Sequence, residues 1–151
     1  MTAVPLRADH RRTRSRVERP ADRELIAFNT SATGAADRGS FSVKVTDEAG
    51  ELVGGLAAWT WGGPCGIELL WVREDSREDG WGSKIIRTAE AEARRRGCDR
   101  VAVSSFTFQA PGFYQRHGYV ETGRTLGIPG GYADVHMFKS PAWDSTSSGR
   151  P

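Results

Sequence analysis

The sequence predicts an α/β fold in which one domain is built on a mixed β-sheet, and three observations indicate it. An alternation of apolar and polar residues over 41–46, followed after a turn by a second strand at 52–60, predicts an antiparallel pair of strands. An apolar run at 67–72, a long amphipathic helix and a strand over Arg100–Phe106 predict a parallel βαβ unit. A short helix and two closing strands complete the pattern.

The length and composition are those of one ordinary globular domain. The chain has 151 residues, of which 38% are hydrophobic and 26% charged. We expect one domain over 17–140, flanked by a disordered basic arm at 1–16 and a disordered polar tail at 141–151. A net charge of only +2 is too weak to indicate a nucleic-acid partner by itself.

The sequence gives no sign of a membrane segment, a secretory signal or a metal site. No apolar run is long enough to span a bilayer, and the arginine-containing start is not followed by an apolar stretch. Cys65 and Cys98 have no metal-ligand spacing and no partner motif, so we interpret them as reduced thiols. We therefore expect a cytoplasmic protein without a metal.

The first half of the chain is predicted to form a helix followed by a hairpin. Pro20 and Asp22 are typical of a helix start, and a loop rich in small residues follows at 31–40. The two strands of the predicted hairpin come next, joined by a turn at 47–50 that contains Asp47 and Gly50. The apolar side of the helix is expected to comprise Leu25, Ile26 and Phe28.

The second half contains the clearest helix of the sequence. Ile85, Ile86, Ala89 and Ala93 lie on one face, and Gly97 suits the C-terminal cap. Beyond the following strand, a short helix is expected to start at Pro111 and to end at Gly118. The closing strands are predicted at 119–125 and 134–139, joined by a loop that includes residues 127–132.

A glycine-containing loop between the apolar strand and the long helix predicts an anion site. Gly80 and Gly82 let the backbone approach a ligand, and the free N–H groups at the helix start favour a pyrophosphate. Taken alone, Gly-x-Gly is equally consistent with a plain strand-to-helix turn. It is neither a dinucleotide fingerprint, because position 85 is Ile, nor a P-loop, because Gly-Lys-Ser/Thr is missing.

Two segments together carry a family resemblance. Arg77-x-x-Gly80-x-Gly82, placed directly after the strand, resembles the acetyl-CoA loop of the GNAT superfamily of N-acetyltransferases. Phe113-Tyr114-Gln115-Arg116-His117-Gly118-Tyr119 is similar to the Phe-Tyr-x-x-x-Gly-Phe/Tyr segment of that family. The order and the separation of the two segments also match the family. The resemblance is strong from about residue 66 to 123 and weaker outside.

The resemblance implies a fold in which the two parallel strands splay apart and admit acetyl-CoA as co-substrate. It implies acetyl transfer to a primary amine, and we expect the acceptor to be a small molecule. The loop departs from the family in carrying Glu78 and Asp79, which disfavour a pyrophosphate nearby, and a bulky Trp81. The expected CoA-binding residues are Leu70, Trp71, Val72, Arg77, Glu78, Asp79, Gly80, Trp81, Gly82 and Ser83.

Two residues are candidates for catalysis. Glu68 is the candidate base, because strand alternation places it with Leu70 and Val72 and an acid is costly to bury in an apolar strand. The alternative is an exposed or arginine-paired glutamate. Tyr114 is the candidate acid for the leaving thiolate, a role that the family's tyrosine at this position supports. The alternative is a packing aromatic; His117 is expected at the surface.

Other functions stay open at this point. Acetylation of a protein lysine or N-terminus would use the same site. A non-catalytic CoA-binding regulatory domain is a third interpretation, favoured by Glu78 and Asp79. The expected partner is a small-molecule amine, with neither nucleic acid nor membrane involved, and a homodimer is left open.

Overall fold

The computed structural model describes residues 7–9 and 20–140, which form a seven-stranded sheet with three α-helices. A 3₁₀ helix spans Glu74–Asp79 between β4 and α2. The strands are β1 (Arg7–Asp9), β2 (Arg38–Thr46), β3 (Leu52–Trp61), β4 (Pro64–Val72), β5 (Arg100–Phe106), β6 (Val120–Ile128) and β7 (Tyr132–Lys139), and the helices are α1 (Pro20–Thr33), α2 (Trp81–Arg95) and α3 (Pro111–Arg116).

The sheet has the predicted mixed topology. Its spatial order is β1-β2-β3-β4-β5-β7-β6. β2, β3 and β4 are antiparallel neighbours, β4 and β5 run parallel, and β5, β7 and β6 are again antiparallel. The α/β class, the hairpin, the βαβ unit and the closing pair are therefore confirmed.

Several boundaries differ from the sequence prediction. α1 continues to Thr33, into the predicted loop, and β4 begins at Pro64 rather than at residue 67. The short strand β1 was not predicted, because three residues are too few to show an alternation; it pairs with β2 at the sheet edge. β1 lies within the segment 1–16, which the sequence predicts to be disordered. The rest of that segment and the segment 141–151 lie outside the described residues, so their disorder stays a prediction.

The core lies between α2 and the sheet. The predicted apolar face of α2, with Ile85, Ile86, Ala89 and Ala93, is buried against the strands. α1 contributes no buried residue. The predicted apolar side of α1 does not pack against the core, because Leu25 and Phe28 are largely exposed. No helix among residues 20–140 is long and apolar enough to cross a membrane.

The two cysteines are buried free thiols on neighbouring parts of this core. Cys65 lies on β4 and Cys98 precedes β5. Burial raises the pKa of the Cys65 thiol to about 12, and it also raises the pKa of Cys98. Both side chains therefore remain protonated near neutral pH and act as small apolar groups.

Few links join the β1–β4 half of the sheet to the β5–β7 half. The β4–β5 ladder has three residue pairs, from Pro64–Arg100 to Gly66–Ala102. On α2, Glu90 accepts hydrogen bonds from Tyr119 Oη at 2.8 Å and from Lys139 Nζ at 3.0 Å. This largely buried cluster ties α2 to the far half of the sheet.

Candidate active site

The central feature of the site is the place where β4 and β5 separate. Their pairing ends at Gly66 and Ala102, although β4 continues to Val72 and β5 to Phe106. Each strand keeps its antiparallel partner on the other side, β3 and β7 respectively. The facing edges of β4 and β5 therefore diverge into a cleft, as the resemblance implied.

A bulge in β4 accompanies the separation. Ala58 pairs with Ile67 whereas Ala57 pairs with Leu69, so Glu68 is the extra residue. Ile67 is buried, and beyond the bulge Leu70 packs against the same core, which shows that the phase of alternation changes at Glu68. The expectation that simple alternation places Glu68 on one face with Leu70 and Val72 is therefore wrong.

Gly66, the last residue of β4 in the parallel ladder, is covered by an aromatic ring. The Trp59 indole lies so close that a Cβ on Gly66 would fall 2.2 Å from the indole nitrogen. A larger residue would displace the ring or the strand, so this position requires glycine.

The cleft has a volume of about 880 Å³, within the range of ligand-binding pockets. The catalytic candidates Glu68 and Tyr114 both line it. Asp79 and Trp81 are not among its lining residues; Trp81 packs against the core, and the Lys84 ammonium lies 4.5 Å from its ring. The expected CoA-binding residues that line the cleft are Leu70, Trp71, Val72, Arg77, Glu78, Gly80, Gly82 and Ser83.

The N-terminus of α2 opens onto one end of the cleft. Gly80 precedes the helix with a φ of +75°, a left-handed conformation that glycine adopts without strain. Gly82 has a different role, because a Cβ there would lie 3.2 Å from the Phe113 ring. Arg77 Nε donates a hydrogen bond to the Val72 carbonyl at 3.1 Å, which fastens the loop to the end of β4.

His117 connects the loop to α3. Its Nε2 lies 2.9 Å from Ser83 Oγ, and its ring lies 4.8 Å from that of Phe113. Burial, followed by the nearby Arg87 guanidinium, lowers the pKa of His117. The expected surface histidine is therefore a half-buried link between the glycine-containing loop and the helix that carries Tyr114.

Tyr114 is positioned by aromatic packing. The residue is 7% exposed, and its ring makes edge contacts with Phe113 and Tyr119 at centroid distances of 5.1 and 5.7 Å. The Tyr114 hydroxyl has no hydrogen-bond partner among the described residues. Every fully buried side-chain oxygen or nitrogen of these residues does have a partner, so the Tyr114 hydroxyl is not fully buried. The hydroxyl is therefore open to the cleft.

The protonation state of Tyr114 follows from this burial. Removal of the phenol from water raises its pKa to about 12, because the charged phenolate is the form that burial disfavours. Near neutral pH the Tyr114 side chain is therefore a neutral hydrogen-bond donor that faces the cleft. Its polar atom is left available to a ligand.

Glu68 lies in the cleft but is not buried. Its side chain is exposed, and within residues 20–140 no arginine or lysine forms an ion pair with it. Glu68 is thus exposed, as in the alternative interpretation, rather than buried in the apolar strand. What supports its candidacy is its place at the bulge, in the lining of the cleft.

Sequence reasoning missed several residues of the cleft. Arg116 adds a second cation to the lining beside Arg77, and Phe108 adds an exposed ring. Ser105 Oγ accepts a hydrogen bond from the Ala110 amide at 3.3 Å, which fixes the start of α3. The turn after β5 could have indicated Phe108, because loops at the ends of strands often carry functional side chains.

The comparisons with known proteins agree with this geometry. The model of the "Acetyltransferase (GNAT) family" matches residues 5–119. A blasticidin-S acetyltransferase of Streptomyces morookaense is 49% identical over 76 residues, which are 48% of this chain and 54% of that protein. The chain thus spans about half the length of this relative.

Solved structures share the fold over most of the chain. The crystal structure of an acetyltransferase from Bacillus cereus is 28% identical with a TM-score of 0.71, over 83% of this chain and 95% of that one. An aminoglycoside 6′-N-acetyltransferase complexed with coenzyme A has a TM-score of 0.66 over 98% of this chain and 99% of that one. At 17% identity, this similarity shows only that the two chains share a fold.

The forked sheet, the loop at the start of α2 and the match over residues 5–119 lead to one conclusion. The chain belongs to the GNAT family of acetyltransferases.

Proposed function

We propose that this chain is an N-acetyltransferase that moves an acetyl group from acetyl-CoA to a primary amine of a small molecule. One observation carries the proposal: the cleft between β4 and β5 joins an anion-binding helix start to a neutral tyrosine hydroxyl. The reaction needs both features, one to hold a diphosphate and the other to stabilise a leaving thiolate.

The residues of the cleft fit acetyl-CoA. The first N–H groups of α2 and the Arg77 and Arg116 side chains provide positive charge for the diphosphate. The edge of β4 that faces away from β3 has no strand partner beyond Gly66 among the described residues, so its backbone groups are free for the amides of the pantetheine arm. Glu78 in the same lining opposes this charge.

The proposed chemistry is a direct transfer. The amine nitrogen attacks the thioester carbonyl, the carbon–sulfur bond breaks, the sulfur leaves as a thiolate and the nitrogen loses a proton. An alkyl amine with a pKa of about 10.4 is neutral in only about one molecule in 2,500 at pH 7. A carboxylate such as Glu68 near the amine can accept its proton, directly or through water.

The structure favours hydrogen bonding over full proton transfer from Tyr114. Its pKa of about 12 lies above that of an ordinary thiol, which is about 8.5. Complete transfer from Tyr114 to a free thiolate is therefore uphill, whereas a hydrogen bond to the developing negative charge stabilises the transition state without it. Solvent can then supply the proton.

A small-molecule acceptor is favoured over a protein. The names of two similar proteins specify small antibiotics, blasticidin-S and an aminoglycoside. A regulatory role without catalysis is disfavoured, because Tyr114 places an unpartnered hydroxyl in the cleft. The expected cytoplasmic location stays a prediction.

Release of free thiol from acetyl-CoA, measured with a panel of small primary amines, tests this function. We expect amine-dependent thiol release together with an acetylated product detected by mass spectrometry. Saturable CoA binding without thiol release from any amine or lysine peptide would favour the regulatory alternative, and release with lysine peptides alone would favour a protein acceptor.

We predict that Tyr114→Phe lowers kcat and kcat/KM together by about 100-fold, since a hydrogen bond made mainly in the transition state is lost. CoA affinity should stay within about twofold. Steady-state kinetics and calorimetric CoA titration measure the two effects.

Tyr119→Phe is the matched control, because its hydroxyl bonds to Glu90 rather than facing the cleft, so it should affect stability more than turnover. Near-normal turnover of Tyr114→Phe would show that the tyrosine only packs.

We predict that Glu68→Gln lowers kcat/KM for an alkyl amine most strongly at low pH, with partial recovery as the pH rises. The reason is that the neutral amine, which the carboxylate no longer generates, becomes more abundant in solution at higher pH. A pH–rate profile from pH 6 to 10 measures this effect. Glu121→Gln, a glutamate paired with Arg124 outside the cleft, is the control. A profile of Glu68→Gln parallel to that of the unmodified chain would exclude the base role.

We predict that Glu78→Gln tightens CoA binding by about two- to fivefold at low ionic strength, because one exposed carboxylate no longer repels the diphosphate. The gain should shrink at high salt as screening increases. Calorimetric titration with CoA at two salt concentrations measures it. Asp79→Asn removes the same charge outside the cleft lining and should have a smaller effect. Equal effects of the two variants would contradict the placement of Glu78.

A further inference from the structure

An aromatic cluster that reaches the cleft through Phe108 takes no part in the chemistry proposed above. We define the aromatic platform as Phe106, Phe108 and Tyr132. The Phe106 and Phe108 rings are stacked at a centroid distance of 5.3 Å, and Tyr132 meets Phe108 edge-on at 4.9 Å. Phe108 is 55% exposed and Tyr132 43%, so burial does not explain their positions.

Polar contacts hold the aromatic platform in place. The Thr107 amide donates to the Ala133 carbonyl at 2.9 Å, and the Ala133 amide donates to Thr107 Oγ1 at 3.1 Å. The Phe106 amide donates to Gln109 Oε1 at 3.0 Å. The turn that carries Phe108 is thereby pinned to β7, which keeps its ring in the solvent.

The turn between β6 and β7 is shaped for the third ring. Gly130 has a φ of +92°, and a Cβ there would fall 2.6 Å from the Tyr132 ring. The Tyr132 ring therefore packs directly on the backbone of this turn, in a space that only glycine leaves open. The turns after β5 and before β7 thus bring the Phe108 and Tyr132 rings into contact.

The aromatic platform continues the lining of the cleft. Phe108 itself lines the cleft, and so does Ser104, which precedes Phe106 by two residues on the same side of β5. Asp134 pairs with Phe106 in register, so its carboxylate lies on that side as well, and Glu68 lines the cleft. Exposed ring faces beside carboxylates complement a flat molecule that carries an ammonium group.

We propose that the aromatic platform is the acceptor subsite and that it selects amines bearing a planar ring, which stacks on Phe108 and meets Tyr132 edge-on while the amine enters the cleft. This inference rests on the proposed acetyl transfer and narrows its substrate class. The ring of the acceptor is held outside the fork, so its amino group points along the cleft toward Glu68 and the thioester.

Two probe amines of similar size test the proposal: benzylamine, with a planar ring, and cyclohexylmethylamine, with a puckered one. The ratio of their kcat/KM values is measured for the unmodified chain and for its variants. The different pKa values of the amines cancel when this ratio is compared between variants. Phe108→Leu should lower the ratio by about 3- to 10-fold, as expected for the loss of one aromatic contact.

Two controls separate the platform from general damage. Phe108→Tyr keeps the ring and should keep the ratio, whereas Phe138→Leu removes an exposed ring outside the cleft lining and should leave it unchanged. Binding of both amines to the CoA-loaded chain is also measured by ligand-observed NMR. An unchanged ratio in Phe108→Leu, or equal or absent binding of the two amines, would overturn the acceptor subsite. Thiol release with other amines would then still support the acetyltransferase, so the two failures are distinguishable.

Discussion

The structure depends on one constraint, the early end of the parallel ladder between β4 and β5. Only three residue pairs join the two strands before Gly66, where the Trp59 indole lies on the backbone. The bulge at Glu68 then changes the direction of β4 while β3 still holds its other edge. A continuous sheet would have left no room for a ligand, so the site is made by interrupted pairing rather than by added loops.

An interrupted sheet needs other links between its halves, and these links lie beside the site. Glu90 binds Tyr119 and Lys139, which joins α2 to the far half. Ser83 and His117 join the start of α2 to the end of α3, and Gly82 allows Phe113 to approach. Because the same contacts position the loop and Tyr114, the geometry of the loop at the start of α2 is coupled to that of the helix that carries Tyr114.

The sequence predicted the parts of this arrangement that depend on local patterns. The amphipathic face of α2, the strand at Arg100–Phe106 and the glycines of the loop are periodic or conformational signals, and all were found in place. The bulge at Glu68 could not be predicted, because it depends on pairing with β3 and not on the residues of β4 alone. His117 was misjudged for a similar reason: its partner Ser83 is 34 residues away.

The aromatic platform also arises from tertiary structure, since its rings come from two turns that meet only in the folded chain. In the proposed function, the start of α2 holds the diphosphate at one end of the cleft and the aromatic platform holds the acceptor at the other. Amide NMR shifts during titration with CoA test this account most directly. We expect saturable shifts concentrated in residues 69–72 and 80–83, at the free edge of β4 and the start of α2. Shifts concentrated in α1 or β6, or none that saturate, would contradict it.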